Sequence, residues 1–231
     1  MDHIRLSPRL QMVADFVPPC ACAADIGTDH GYLPVWLLQS GVIQSAIAAD
    51  IHAGPLANAR QSAAAYDLEE RFRFVQADGL QFSGAQAADV ITIAGMGGET
   101  ICTILAAAPW LRQGKRLVLQ PQSKVPELAD WLWHNGFTIE DAALCRDAGK
   151  RYLALRVLGR VAAQSCTVEQ LLLRHRDPLL PEHLKEEIRR QKRACAGMVH
   201  AKQTPEAALA ALDARLSELE TCLKEVQTWQ S

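Results

Sequence analysis

Residues 23–34, "AADIGTDHGYLP", are the stretch on which the reading of this chain turns. An apolar run passes into a glycine turn and the turn into an apolar helix, the way a parallel sheet opens a nucleotide-binding unit. Asp29, however, stands where a phosphate-cradling loop carries its middle glycine. A pyrophosphate placed over Gly27 would meet that carboxylate with a repulsion of ~4 kcal/mol at about 4 Å and intermediate dielectric. The turn disfavours an anionic dinucleotide and favours a ligand that brings positive charge.

Outward from this turn, strand-like and helix-like stretches alternate. Ser7 before Pro8 is an N-cap and first-turn pair for a short helix ended by Pro18-Pro19. Strands are expected at 22–27, 45–51, 72–78, 88–95 and 115–121, with helices at 32–41, 54–67, 98–111 and 125–136. Two further strands, 137–145 and 151–159, are joined by "RDAGK" as a hairpin. Continuous apolar strands between helices imply a parallel sheet covered on both faces. The expectation is an α/β fold with a Rossmann-like seven-stranded sheet whose last strand is antiparallel.

Beyond Gly159 the pattern changes to two long helices. One is expected at about 182–202, with Leu184, Ile188, Cys195, Met198 and Val199 on its apolar side. The other starts after Thr204 and repeats Leu209, Leu212, Leu216, Leu219, Leu223 and Val226 at spacings of three and four, a heptad seam. They read as an antiparallel coiled-coil hairpin, so the expected division is a cofactor-binding domain, 1–160, and a helical domain, 161–231.

The net charge of −2 argues against nucleic acid until it is divided along the chain. Residues 1–145 carry nine Lys and Arg against fifteen Asp and Glu; residues 146–202 carry thirteen against six. A basic segment is thus hidden in a slightly acidic total. The seven cysteines are an odd, scattered set without metal-pair spacing, so reduced thiols, no metal and a cytoplasmic location are expected. No window reaches the length of a membrane span, and "MDHIRLSPRL" shows no apolar run behind a basic start, so no targeting segment is expected.

In an open α/β sheet the ligand sits at the carboxyl ends of the strands. Those ends read Asp25 to Gly31, Asp50-Ile51-His52, Ala77-Asp78-Gly79, Ala94-Gly95-Met96-Gly97-Gly98 and Gln120-Pro121-Gln122. Three of the five end in an acid and none supplies the Lys or Arg of a phosphate site. S-adenosylmethionine, which has no phosphate and carries an ammonium and a sulfonium, fits such acids. Asp50, 23 positions after Gly27, suits the ribose hydroxyls. Asp78 suits the adenine amino group, and Ile51 and Met96 suit the two faces of the ring. An aspartate ending a strand is often only the cap of the next helix, so the ordered set of three carries the weight.

"LSPRL", "ADIGTDHGYLP", "ITIAGMGGE" and "LQPQ", in this order and spacing, resemble the TrmK family of bacterial tRNA adenine-22 N1-methyltransferases. The resemblance spans the chain, including "GKRYLALRV" and the helical tail. It implies a class I methyltransferase fold, S-adenosylmethionine as donor, and N1 of an adenine in the D-arm region of tRNA as acceptor. The residues placed at the cofactor are Arg9, Asp25, Gly27, Thr28, His30, Gly31, Tyr32, Asp50, Ile51, Asp78, Gly79, Ala94, Gly95, Met96 and Gly97. Family members usually carry serine at Thr28 and alanine at Gly31.

Adenine N1 has a free lone pair and needs no protein nucleophile once the base is extruded and aligned. A carboxylate beside it would stabilise the cationic product ring, and Asp29 is the candidate catalytic group, with a purely structural or cofactor-binding acid as its alternative. Gln120 and Gln122, with His30, are candidate base-orienting partners. Tyr32 could stack on a base, although an aromatic early in a buried helix is more often core. Lys185, Arg189, Lys192 and Arg193 fall on one helix face, and Arg146, Lys150 and Arg151 in the hairpin turn add positive charge for tRNA phosphates. A solvated coiled-coil face is the plainer reading of the stripe. A monomer is expected, with pairing of the heptad seam between chains as the alternative. The rival functions are a methyltransferase acting on another RNA or a small molecule, a non-catalytic S-adenosylmethionine- or RNA-binding module, and last a nicotinamide dehydrogenase.

Overall fold

The structure is a computed structural model that describes residues 3–162, 166–199 and 206–230. It forms two compact units, Met1–Cys166 and Thr167–Ser231. The first contains α1 (Pro8–Asp15), β1 (Cys20–Ile26), α2 (Tyr32–Gln39), β2 (Ile43–Asp50), α3 (Ala53–Ala65), β3 (Phe72–Gln76), β4 (Val90–Gly97), α4 (Gly98–Ala106), β5 (Arg116–Ser123), α5 (Val125–His134), β6 (Thr138–Asp147) and β7 (Lys150–Leu158). Ser7 caps α1 as expected, its hydroxyl accepting from the Leu10 amide at 3.4 Å.

The seven strands form one sheet in the order β3-β2-β1-β4-β5-β7-β6. β1 to β5 are parallel, and β7 runs antiparallel to both β5 and β6. β1, β4 and β5 are central and read as continuous apolar runs because helices cover both faces; Ala24, Ile91, Ile93, Leu117, Val118 and Leu119 are fully buried. The chain leaves β1 toward β2 and returns on its other side at β4, so the switch point lies between β1 and β4. At that point β4 becomes irregular, its pairing with β5 shifting register around Ala94, Met96 and Gly97. Such a bulge re-aims side chains at the end of a strand.

β7 pairs Arg116 with Leu158 and Leu119 with Leu155, so its start lies at the carboxyl end of β5. The β6–β7 turn, where Arg146 pairs with Arg151 and Asp147 with Lys150, therefore stands at the same sheet edge as the strand ends.

The second unit has three helices where two long ones are expected from the sequence. α6 (Val168–Arg174) is the addition, opened by a capping box in which Thr167 and Gln170 bond each other's backbone amides. α7 (Leu180–Val199) and α8 (Glu206–Gln227) pack side by side. The six residues between them, at about 3.5 Å each, cannot return along the roughly 30 Å of a 20-residue helix, so the two run antiparallel. Leu184, Ile188, Leu219 and Val226 are buried, while Leu212, Leu216 and Leu223 are partly buried, as the apolar spacing requires. Thr204 with Pro205, Lys202, and the side chains of Met198, Val199 and Leu209 lie outside the described residues.

This small core also holds a charged pair. Glu169 of α6 is buried, with Oε1 at 2.7 Å from Nη2 of Arg215 on α8 and 4.0 Å from Nε2 of the buried His183 on α7. Its Oε2 has no hydrogen-bond partner. Removing one member of a buried pair strands the other, whereas replacing both by apolar residues is tolerated. Arg215→Met is expected to destabilise the helical unit by about 3–5 kcal/mol, and Glu169→Leu with Arg215→Met to recover most of it, in urea unfolding followed by helical circular dichroism.

Candidate active site

A cleft of about 430 Å³ opens at the carboxyl ends of β1 to β4. Ile26 and Gly27 line it from β1 and its turn, Asp50 and Ile51 from the end of β2, Ala77, Asp78 and Gly79 from beyond β3, and Met96 from β4. Glu99, Thr100, Thr103 and Ile104 close it from α4. The lining contains no Lys or Arg. Its volume falls in the range of small-molecule sites, roughly 300–1,000 Å³.

The Gly27 turn is held close to this cleft. Its amide donates to the Ala49 carbonyl at 2.8 Å, tying β1 to β2, and its φ is +75°. A Cβ at Gly27 would collide with the terminal methyl of Met96, so only glycine lets Met96 lie across the turn. Asp25, two residues earlier on β1, is buried and accepts the Thr92 hydroxyl of β4 at 2.7 Å. Burial pushes its pKa up; hydrogen bonding from Thr92 and Thr28 opposes the rise, and the Asp50 charge adds to it. The Thr28 side chain is buried beneath the turn beside Asp25. Asp50 accepts the His52 amide at 2.9 Å through one oxygen, an Asx-type closure that sets the carboxylate at the cleft wall.

Of the expected cofactor residues, Gly27, Asp50, Ile51, Asp78, Gly79 and Met96 meet in the cleft. Asp25 and Thr28 support the turn from below. Ala94, Gly95 and Gly97 form the bulged end of β4 beside it. Arg9 is not in the lining; its Nη1 donates to Gln120 Oε1 at 2.9 Å, and its guanidinium lies 5.6 Å from the Tyr152 ring centre. A Cβ at Gly95 would lie 3.2 Å from that Nη1, which places a cation at the β4 end.

Gln120 does not behave as a base-contacting residue. It is fully buried, its carbonyl taken by Arg9 and its amide donating to the Pro121 carbonyl at 2.9 Å. It can only position its neighbours. Gln122 is exposed, with its amide 3.6 Å from the Gly95 Cβ position, and remains the accessible glutamine. Asp29 is exposed and adopts φ +49°, a left-handed conformation that aspartate tolerates better than most residues. Tyr32, for which core is the commoner reading, is instead 42% exposed and stacked on His30 outside the cleft lining. The Gly31 between them, at φ +67°, is pressed on α3, where a Cβ would come within 3.0 Å of Ala59 Cβ.

Lys185, Arg189, Lys192 and Arg193 are all exposed on α7, but Lys192 is committed to Glu220 at 2.8 Å. Arg146, Lys150 and Arg151 stand at the β6–β7 turn. The wall formed by α4 is missing from the sequence reading. Its signal was present, since Glu99 with Thr103 and Thr100 with Ile104 repeat at four residues just after the glycine turn. Among the described residues no cluster suited to a metal ion occurs, and no helix is long and apolar enough to cross a membrane.

Comparison with known proteins matches a methyltransferase domain over residues 6–155. A Bacillus subtilis tRNA (adenine(22)-N(1))-methyltransferase is 38% identical over 156 residues, 67% of this chain and 66% of its own length, just under two thirds of that relative. The solved structure of the B. subtilis m1A22 tRNA methyltransferase TrmK superposes with a TM-score of 0.80 at 28% identity, covering 96% of this chain and all of that one. A Streptococcus pneumoniae structure in complex with S-adenosyl-L-methionine gives 0.76 at 30% identity, covering 95% and 100%.

Because the folded Asp25 holds its proton more tightly than the unfolded chain does, its contribution to stability is present at low pH and is lost as pH rises through the raised folded value. Melting temperatures taken from about pH 4 to 8 should fall less steeply for Asp25→Asn than for the wild type.

Proposed function

This chain belongs to the TrmK family of bacterial tRNA (adenine-22-N1)-methyltransferases, and from that membership and the chemistry of its cleft we propose how it methylates N1 of adenine 22 in tRNA. It is an S-adenosylmethionine-dependent enzyme. The observation that carries the reading is the cleft wall: Asp50 and Asp78 flank the Gly27 turn with no cation in the lining, a site built for a phosphate-free, positively charged donor.

When bound, the donor supplies an electrophilic sulfonium methyl. Asp50 accepts the ribose hydroxyls and Asp78 the adenine amino group, while Ile51 and Ile104 cover the apolar ring. Arg9, held by Gln120 beside Gly95, receives the methionine carboxylate. Met96, laid across Gly27, leaves the bulged β4 end open toward the acceptor. Asp29 stands at the turn, where, once the docked acceptor excludes water, it stabilises the charge that develops on the ring when N1 is alkylated. The helical unit and the β6–β7 turn bind tRNA phosphates through Lys185, Arg189, Arg193, Arg146, Lys150 and Arg151. The working enzyme is a cytoplasmic monomer, with the apolar seam of α7 and α8 satisfied within the chain.

Incubation with labelled donor and unmodified tRNA, followed by mapping of the modified nucleotide, should place a single methyl on N1 of adenine 22; label elsewhere or none would overturn the reading. Asp29→Asn is expected to lower turnover about 10²-fold or more while donor affinity changes little, as measured by single-turnover rates and calorimetry. Equal losses would make Asp29 a binding residue. Reversing Lys185, Arg189 and Arg193 to Glu should weaken tRNA binding and reduce its log–log salt slope by about one for each phosphate no longer neutralised, with donor binding intact.

A further inference from the structure

Resting on the family reading, we propose that the His30–Tyr32 ring pair is a stacking platform for a nucleobase of the substrate tRNA. The two rings lie 5.2 Å apart between centres and within 16° of parallel. Both are accessible, the His30 side chain 49% and Tyr32 42% exposed, so the stack contributes little to the core. Each is held by the turn rather than by burial. Gly31, left-handed and pressed on Ala59 of α3, fixes the chain between the two rings. The Asp29 carboxylate lies 3.8 Å from His30 Nε2, at the outer edge of the imidazole.

Neither ring lines the donor cleft, yet both follow within five residues the Gly27 turn that forms its wall. The donor therefore has its own apolar faces in Ile51, Met96 and Ile104, and the platform is left for another flat ligand. A two-ring stack with exposed faces is extended by a third ring, and every nucleobase offers one. A base drawn from its helix must replace the stacking it loses, and a preassembled aromatic pair beside the acceptor end of the cleft does so without ordering flexible side chains.

The test uses the full-length enzyme with unmodified tRNA, comparing Tyr32→Leu, which keeps volume without a π-face, with Tyr32→Phe, which keeps the ring. Binding of tRNA without donor is measured first, then KM and kcat for tRNA, with donor affinity by calorimetry and the melting temperature alongside. The expected result is an approximately five- to hundredfold loss of tRNA affinity in Tyr32→Leu, substantial retention in Tyr32→Phe, and unchanged donor affinity in both. Unchanged tRNA binding in Tyr32→Leu overturns the platform, as does Tyr32→Phe failing as badly as Tyr32→Leu, or a loss confined to donor affinity or melting temperature. If the wild type transfers no methyl to tRNA, the family reading fails instead, and the donor-free binding comparison still decides the platform.

Discussion

The hydrogen bond from the Thr92 hydroxyl to the Asp25 carboxylate joins the two central strands below the switch point, and the site is arranged around it. β1 and β4 diverge just above this bond, and their separation is what opens the cleft. A carboxylate without partners at that depth would be costly, and burial already raises its pKa. The Thr92 hydroxyl gives the buried Asp25 a partner and offsets part of the cost of its burial. The turn can then remain glycine-rich and close to its ligand, because the strands that carry it are tied by side chain as well as by backbone.

Most of the fold was legible because its signals are local. Ser7-Pro8, Gly41, Gly136 and the "RDAGK" turn punctuate short continuous apolar runs that read as buried strands and longer stretches that read as helices. The order of strands was less local: β7 lying between β5 and β6 depends on tertiary pairing. α6 was hidden by length, since a seven-residue helix displays barely two turns of periodicity, although Thr167 and Gln170 announce its start. At the site, residues that end strands were readable from topology alone. Residues whose role depends on depth were not. Gln120 and Gln122 are two apart and chemically identical, yet one is fully enclosed and the other faces solvent.

Charge was readable by composition and not by partnership. The basic segment survives in the structure as exposed Lys185, Arg189 and Arg193, but Lys192 is matched by Glu220 from a helix that sequence spacing alone does not bring opposite it. Arg215 shows the converse. It lies outside the basic segment and would pass for a solvated residue, yet it compensates the buried Glu169 that joins three helices. Replacing that pair by apolar residues is compatible with a core, so the pair is weak evidence of net stability in this unit.

The same turn separates two kinds of positive charge. The donor is cationic before transfer and the acceptor ring is cationic after it, so acids on both sides of the Gly27 turn follow the charge as it moves. Asp25 is buried on β1 and Asp50 half-buried at the end of β2, where strands fix the geometry, while Asp78 lines the cleft from an exposed turn beyond β3. Asp29 is set at the rim in a left-handed conformation, exposed to water. In the proposed mechanism a rim carboxylate such as Asp29 meets the acceptor ring while staying open to the solvent into which the methylated cation leaves. The cation Arg9, kept outside the lining and anchored to the buried Gln120, stands at the β4 end, where the proposed mechanism places the one anionic group of the donor.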